Sequence, residues 1–591
     1  MGEEMSTPEL PQPFGFYHIL TGTDDLHFGY WPKEEPSLSL CRAQQALTAL
    51  LFELFPQPPA RILDVGCGLG ATAGDLSARG YEVSAITPSH ELIAFAEQHY
   101  PGPRYLSCGF LEDHQLLDIP QFYDLILFQE SLQYFPQLLP VFQKAKKILA
   151  PQGRIVLCDE VSYSPRTSEK SAVHSAGEIE RCLGEAGFYI RRHKRIGPQV
   201  IKTCREILGL FEDKRELLIR TFGDNAKDLV DHYTQGWKKQ FDWYSRGCFG
   251  YEVWDVRPDR FTLRPYMPGD EEAILKMFQQ IFGIQRSMEH WQWKFLHDPF
   301  GGPLIITVWN GEELVSHYSA YPVPLWMGDQ MTLIQQVGDT MTYPSYRGVG
   351  RGPTSLLARA VRLFHRLYCE GQIPFFYGFN TGKIQKFGRM FLKYIPVTPV
   401  YEWILDSVSL EMLLKHDIWR FRLLGFTTKA VKETSSWADD FFEKVRGDYR
   451  WLVARNASYL KWRYLNHPDY DYKLILVRRW GHPVGWWLCR IEGNTLLIGD
   501  ALFDPKVTYA PQAGLVSLLR LIRKQGLEIT EVRGWFSRHP EWWMKRLYEL
   551  GFRDQREHQN LDLCFTTFSG DLSPEEFSEM MYFTHGDSDL F

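Results

Sequence analysis

The sequence predicts an α/β protein: a Rossmann-like doubly wound sheet at the N-terminal end, then two α+β units. Three observations point there. An apolar strand runs through an acid into a glycine-rich turn and a helix at Ile62-Leu63-Asp64-Val65-Gly66-Cys67-Gly68-Leu69-Gly70-Ala71-Thr72. Strand-like and helix-like segments then alternate, the pattern of a parallel sheet with crossover helices. Further on, Trp293-Lys294-Phe295-Leu296-His297-Asp298-Pro299 returns as Trp462-Arg463-Tyr464-Leu465-Asn466-His467-Pro468, which implies a duplicated unit.

Each element follows from its own residues. Pro58-Pro59-Ala60-Arg61 marks the start of the first strand, and residues 81–86 read as the second. Residues 122–128, preceded by a turn, read as a buried parallel strand. Residues 149–157 give a helix end, a Pro-Gly turn and another strand, and Glu185-Ala186-Gly187-Phe188 ends a later helix. A glycine turn after a strand lets the backbone approach a nucleotide-like cofactor closely.

Spelled Leu-Asp-Val-Gly-Cys-Gly, that turn resembles motif I of class I S-adenosylmethionine (SAM) methyltransferases. The resemblance implies that Gly66, Gly68 and Gly70 line the methionine side of SAM, with Asp64 near its amino group. It also implies an acid at the end of the second strand for the ribose. Here Thr87 stands there, in Ile86-Thr87-Pro88-Ser89, similar to a variant in relatives of cyclopropane synthases. Glu112 or Asp113 is the matching candidate for the adenine amine. His27-Phe28-Gly29-Tyr30-Trp31, with Tyr17 ahead of it, resembles methyltransferases whose N-terminal helices cover a small-molecule site. Tyr17, His27, Tyr30 and Trp31 are therefore substrate candidates. Glu130, after the fourth strand, is the candidate base for an acceptor that carries a proton.

The 591 residues exceed one hydrophobic core, so several domains are expected. A net charge of −7 gives no basic excess for nucleic acid or a membrane surface. The ten cysteines contain no C-x-x-C, so neither zinc nor a disulfide framework is indicated, and no metal is called for. No apolar run reaches the ~18 residues of a membrane span, and no signal-peptide pattern opens the chain. A cytoplasmic enzyme is the simplest class.

The second half starts again at Phe261-Thr262-Leu263-Arg264-Pro265, and Gly269-Asp270-Glu271-Glu272 leads into an amphipathic helix. Gly338-Asp339-Thr340-Met341-Thr342-Tyr343-Pro344 is followed by Arg347-Gly348-Val349-Gly350-Arg351-Gly352. These residues resemble the Arg/Gln-x-x-Gly-x-Gly loop of GNAT (GCN5-related) N-acyltransferases. A glycine loop opening a helix at Pro353 turns backbone N–H groups toward one spot, a cradle for the pyrophosphate of coenzyme A. Asp339 or His317 is the candidate base and Tyr394 the nearest tyrosine for the leaving thiolate. At the matching place the second copy has Thr508-Tyr509-Ala510-Pro511-Gln512-Ala513-Gly514, without the cradle.

The expected organisation is a methyltransferase domain over residues 1–257, a GNAT domain with the CoA loop over 258–410, a degenerate GNAT-like domain over 411–568 and a loose acidic tail over 569–591. The leading reading is a bifunctional small-molecule tailoring enzyme using SAM and acetyl-CoA or another acyl-CoA. Two alternatives stand beside it. One is a polyketide-type module acting on thioesters of an acyl carrier protein. The other is a methyltransferase with a non-catalytic GNAT docking unit.

Overall fold

The computed structural model describes residues 10–112, 119–163, 173–223, 226–416, 418–570 and 572–591. It divides into two compact units. The first holds the chain up to Arg264 with Trp309–Glu312, and the second holds Pro265–Val308 and Glu313–Phe591.

The first unit is built on a seven-stranded sheet. Its strands are β1 (Arg61–Val65), β2 (Glu82–Thr87), β3 (Arg104–Ser107), β4 (Tyr123–Gln129), β5 (Leu149–Ser162), β6 (Phe188–Arg195) and β7 (Phe249–Pro258), in the order β3-β2-β1-β4-β5-β7-β6. The strands from β3 to β5 pair parallel, and β7 runs antiparallel between β5 and β6. β1 and β4 are apolar along nearly their whole length because helices cover both faces. The helix Leu138–Ile148 shows how that cover arises: Leu138, Val141, Phe142, Ala145 and Ile148 form one stripe and are all buried. The order of strands reverses beside β1, so the ends of β1 and β4 open on the crevice where such sheets take ligands. An N-terminal helix (Phe14–Thr21) and a long helix (Ala226–Ser245) add to the same unit.

The second unit contains two sheets of the same plan. In one, Met331–Thr342 pairs parallel with Phe375–Asn380; in the other, Thr495–Phe503 pairs parallel with Glu531–Trp535. The sheets exchange strands. Tyr401–Leu405 lies between Glu531–Trp535 and Arg553–Arg556, while Asp562–Thr567 lies between Phe375–Asn380 and Ile395–Pro399. The chain crosses at Val400 and returns at Leu561, where Val400 N–H donates to the Leu561 carbonyl and both side chains are buried with Trp535. A boundary at residue 410 therefore cuts through a shared structure.

The expected loose tail is packed. Ser573 caps the helix Pro574–Met580, and Phe577, Met581, Tyr582 and Phe583 are buried. Beyond them Asp587 accepts a hydrogen bond from Arg455 at 2.6 Å, and the Arg455 Nε donates to Asp500 at 2.9 Å. All three are buried, so Asp587 neutralises an internal arginine rather than facing water, while Glu575, Glu576 and Glu579 stay exposed. Among the described residues, no helix is long and apolar enough to cross a membrane.

Candidate functional site

A cavity of about 950 Å³ opens at the ends of β1 and β4. The chain leaves β1 at Val65 and passes through Gly66, Gly68 and Gly70, all with positive φ, before the helix Ala71–Ala78 begins. At two of these positions a side chain has no room. A Cβ on Gly66 would stand 2.7 Å from the Cβ of Ser131, and one on Gly70 would stand 2.7 Å from the Cβ of Ala96. Strand and helix therefore close around the turn without side chains, leaving backbone at the cavity wall.

Asp64 is 3% exposed, and its Oδ2 has no hydrogen-bond partner. Burial pushes its carboxyl up to about 7, with His27 pulling the other way. An unpartnered buried carboxylate oxygen at a ligand cavity is costly unless a donor meets it there. An ammonium or amide group of a bound ligand is such a donor, and the turn leaves backbone free to approach a ligand. Thr87, at the end of β2, and Glu112 line the same cavity. Asp113, the alternative to Glu112, lies outside the described residues.

Glu130 also lines the cavity, with φ +54 at the end of β4. Its Oε1 accepts from the Phe28 N–H at 2.7 Å and from the Tyr251 hydroxyl. Burial raises its pKa against the charge of His27. The candidate base thus also ties the 27–28 segment to the sheet. His27 bonds the Phe28 carbonyl through Nδ1 and Thr48 through Nε2. Burial disfavours its charge, but the hydrogen bond and charge of Asp25, with Glu130, raise its pKa overall. Tyr17 lines the cavity too, accepts from the Trp237 indole at 2.9 Å and is pushed by burial to about 12.

Two of the four substrate candidates are misplaced by the sequence reading. Tyr30 and Trp31 do not line the cavity. The Trp31 ring is buried with Phe16, Leu20 and Ala43, and its indole donates to the Leu38 carbonyl. Trp31 anchors the N-terminal segment, whereas Phe28, between His27 and Gly29, reaches the cavity with Tyr17 and His27.

Other wall groups were not singled out from the sequence. Asp159 and Glu160 follow Cys158 on β5, and Tyr233, Trp237, Gln240 and Trp243 come from the helix Ala226–Ser245. Asp159 accepts from the backbone N–H groups of Leu132 and Glu160, both at 2.9 Å, and burial pushes it to about 8. Gln240 donates to Glu160 at 2.7 Å, and burial pushes that carboxyl to about 7. The available signal was position: acids at the end of a parallel strand in this fold face the crevice. The ligand atoms of Glu180, His193 and Glu252 lie within 4.8 Å of one another. Tyr163 and Arg195 already engage Glu252 and Trp254 donates to Glu180, which makes the group a satisfied hydrogen-bond cluster.

In the second unit the glycine loop is exposed, and its helix begins at Leu356, not at Pro353. A short turn over Gly352–Thr354 intervenes, and Ser355 supplies the cap. Gly350 has φ +72, and a Cβ there would meet the Thr354 carbonyl at 2.2 Å. Arg347 donates through Nε to the Thr342 carbonyl, while Arg351 is exposed and Gly348 has open space around it. The loop thus keeps its tight turn, with two arginines beside it.

The three acid–base candidates here do not form a catalytic set. Arg286 and Lys294 pair with Asp339 and hold its carboxyl well below the usual range against the push of burial. His317 is fully buried, bonds the Asp339 carbonyl, and is pushed by burial to about 4. The Tyr394 hydroxyl bonds that of Tyr318 at 2.8 Å inside the core, and burial raises its pKa.

Comparison with known proteins matches residues 63–157 to a methyltransferase domain and residues 262–373 to an acetyltransferase (GNAT) domain. Methyltransferase GfsG of Streptomyces halstedii is 30% identical over 244 residues, covering 37% of this chain and 83% of that protein. (+)-O-methylkolavelool synthase of Herpetosiphon aurantiacus is 29% identical over 163 residues, covering 27% of this chain and 57% of that protein. The chain thus spans little more than half the length of the latter. The cyclopropane synthase MmaA2 of Mycobacterium tuberculosis shares 18% identity over 41% of this chain and 93% of its own, with a TM-score of 0.37.

Proposed function

The chain belongs to the SAM-dependent methyltransferase family and carries a GNAT domain beside that fold, and we propose on this footing that it methylates a small-molecule acceptor in the cavity beside Asp64. The observation that carries the reading is the buried, unpartnered Asp64 oxygen beside a turn that admits no side chains at Gly66 and Gly70. Bound SAM supplies an electrophilic methyl group on a sulfonium. Asp64 holds its amino group, the glycine turn its methionine portion, and Thr87 and Glu112 its nucleoside side. Glu130, raised by burial, holds or takes the acceptor's proton at Oε2, since Oε1 already accepts from Phe28 and Tyr251. Phe28, Trp237 and Trp243 keep water from the reacting atoms.

The GNAT half, in this reading, takes an acyl-CoA at Arg347–Gly352 and acylates an amine or hydroxyl of the same pathway intermediate. Acetyl is the first candidate acyl group. A second reading is favoured by the ion-paired Asp339 and the internally bonded Tyr394: a GNAT fold that docks a partner, such as an acyl carrier protein, without chemistry.

Calorimetric titration with SAM and with acetyl-CoA, repeated with Gly68→Arg and Gly350→Arg, tests both halves. Loss of only the matching ligand in each variant supports two cofactor sites. Binding of SAM without binding of acetyl-CoA supports the docking reading.

A further inference from the structure

The charge of the cavity wall bears on the acceptor, on the premise that the cavity is a methyltransferase site. Asp64, the glycine turn, Thr87 and Glu112 are assigned to the cofactor. The remaining wall holds Glu130, Asp159 and Glu160 at the ends of β4 and β5, with Asp24 and Asp25 from the N-terminal segment. Among the described lining residues there is no lysine or arginine.

These acids are not equivalent. Asp159 is committed to two backbone N–H groups, and Glu130 to the Phe28 N–H and the Tyr251 hydroxyl. Glu160 is held by the side chains of Gln240 and Tyr244, both neutral. Trp237, Gln240 and Trp243 of the helix Ala226–Ser245 all line this wall, and Gln240 reaches Glu160. A second polar group also looks for a ligand: Ser131 is 2% exposed and its Oγ has no partner.

A wall of acids that faces His27 but no lysine or arginine favours a cation over an anion: an ammonium beside Glu160 draws that acid into its carboxylate form, whereas an anion opposes it. Aromatic faces add to that preference. We infer that the acceptor is an amine, bound as its ammonium against Glu160 beside the Trp237 and Trp243 rings. The same wall rejects acceptors carrying a phosphate, sulfate or carboxylate at that end.

Three indole probes that share a two-carbon spacer test this: tryptamine, the neutral indole-3-propionamide and the anionic indole-3-propionate. Each is titrated calorimetrically into the full chain saturated with S-adenosylhomocysteine, at neutral pH. The expected result is tryptamine binding about tenfold or more tighter than the amide, with the carboxylate weakest, as for a hydrogen bond to a charged group. Glu160→Gln should bind S-adenosylhomocysteine normally and lose the preference for tryptamine. The inference is overturned if the amide or carboxylate binds as well as tryptamine, if tryptamine fails to bind the loaded protein, or if Glu160→Gln keeps the preference. Failure of S-adenosylhomocysteine itself to bind is a different outcome: it removes the methyltransferase reading and this inference with it.

Discussion

The indole N–H of Trp293 donates to the carbonyl of Trp462 at 2.7 Å, and the indole of Trp462 donates back to the carbonyl of Trp293 at 3.0 Å. The two tryptophans are the first residues of the repeated motif, and their rings stack 5.6 Å apart. The repeat extends beyond them. Arg286 pairs with Asp339 as Arg455 pairs with Asp500, each arginine standing seven residues before its tryptophan and each aspartate directly after a glycine.

Removing one member of the tryptophan pair should unsettle both copies. Trp462→Ala leaves a large void and an unmatched Trp293 indole, at a cost of about 3–5 kcal/mol. Urea unfolding followed by tryptophan fluorescence should show one shifted transition for the second unit. Two separate transitions would mean that the copies fold independently.

The strand exchange predicts that neither copy survives alone. A fragment ending at residue 410 lacks Asp562–Thr567, and one beginning at 411 lacks Tyr401–Leu405, each a central strand of the sheet left behind. Both should lack cooperative unfolding by calorimetry, whereas a fragment from residue 258 to the last residue should show it.

The glycine turn was legible because the backbone itself dictates those residue types. Asp159 and Glu160 escaped because the strand reading ended at Leu157, and the aromatic face of the helix Ala226–Ser245 has no linear motif. Alternation of strands and helices does not say which sheet a strand joins, so the exchange of 401–405 with 562–567 was hidden. Asp339 reads as a base in isolation, but Arg286, 53 residues away, turns it into half of an ion pair. Asp587 likewise reads as a solvated tail acid until Arg455 is found against it.

The buried acids set a pH dependence of stability. Asp64, Asp159 and Glu160 are raised to about 7, 8 and 7 by burial. Unfolded, such groups titrate near 4, so between ~4 and ~8 the folded state binds more protons than the unfolded one. Their contribution is fully present below the unfolded values and is lost as pH rises through the folded ones. The ligand-free first unit should therefore melt lower at pH 8.5 than at pH 6. Thermal unfolding across that range should show a shallower slope in Asp159→Asn.

Glu130 should control the order of the segment it ties down. Glu130→Ala frees the Phe28 N–H, which should then exchange its proton faster, with its neighbours, in hydrogen–deuterium exchange. Glu130→Gln keeps an acceptor oxygen and should exchange nearly as the native chain does. Equal protection in all three would show that other contacts hold the segment.

The affinity of SAM for Asp64→Asn against the native chain, by calorimetry at pH 8, tests the central claim most directly. A carboxylate meeting the cofactor's amino group should be worth about 1.5–3 kcal/mol, so the variant should bind roughly ten- to a hundredfold more weakly while melting no lower than the native protein. Undiminished SAM binding by a folded Asp64→Asn variant would contradict the assignment of this cavity to the cofactor's amino group.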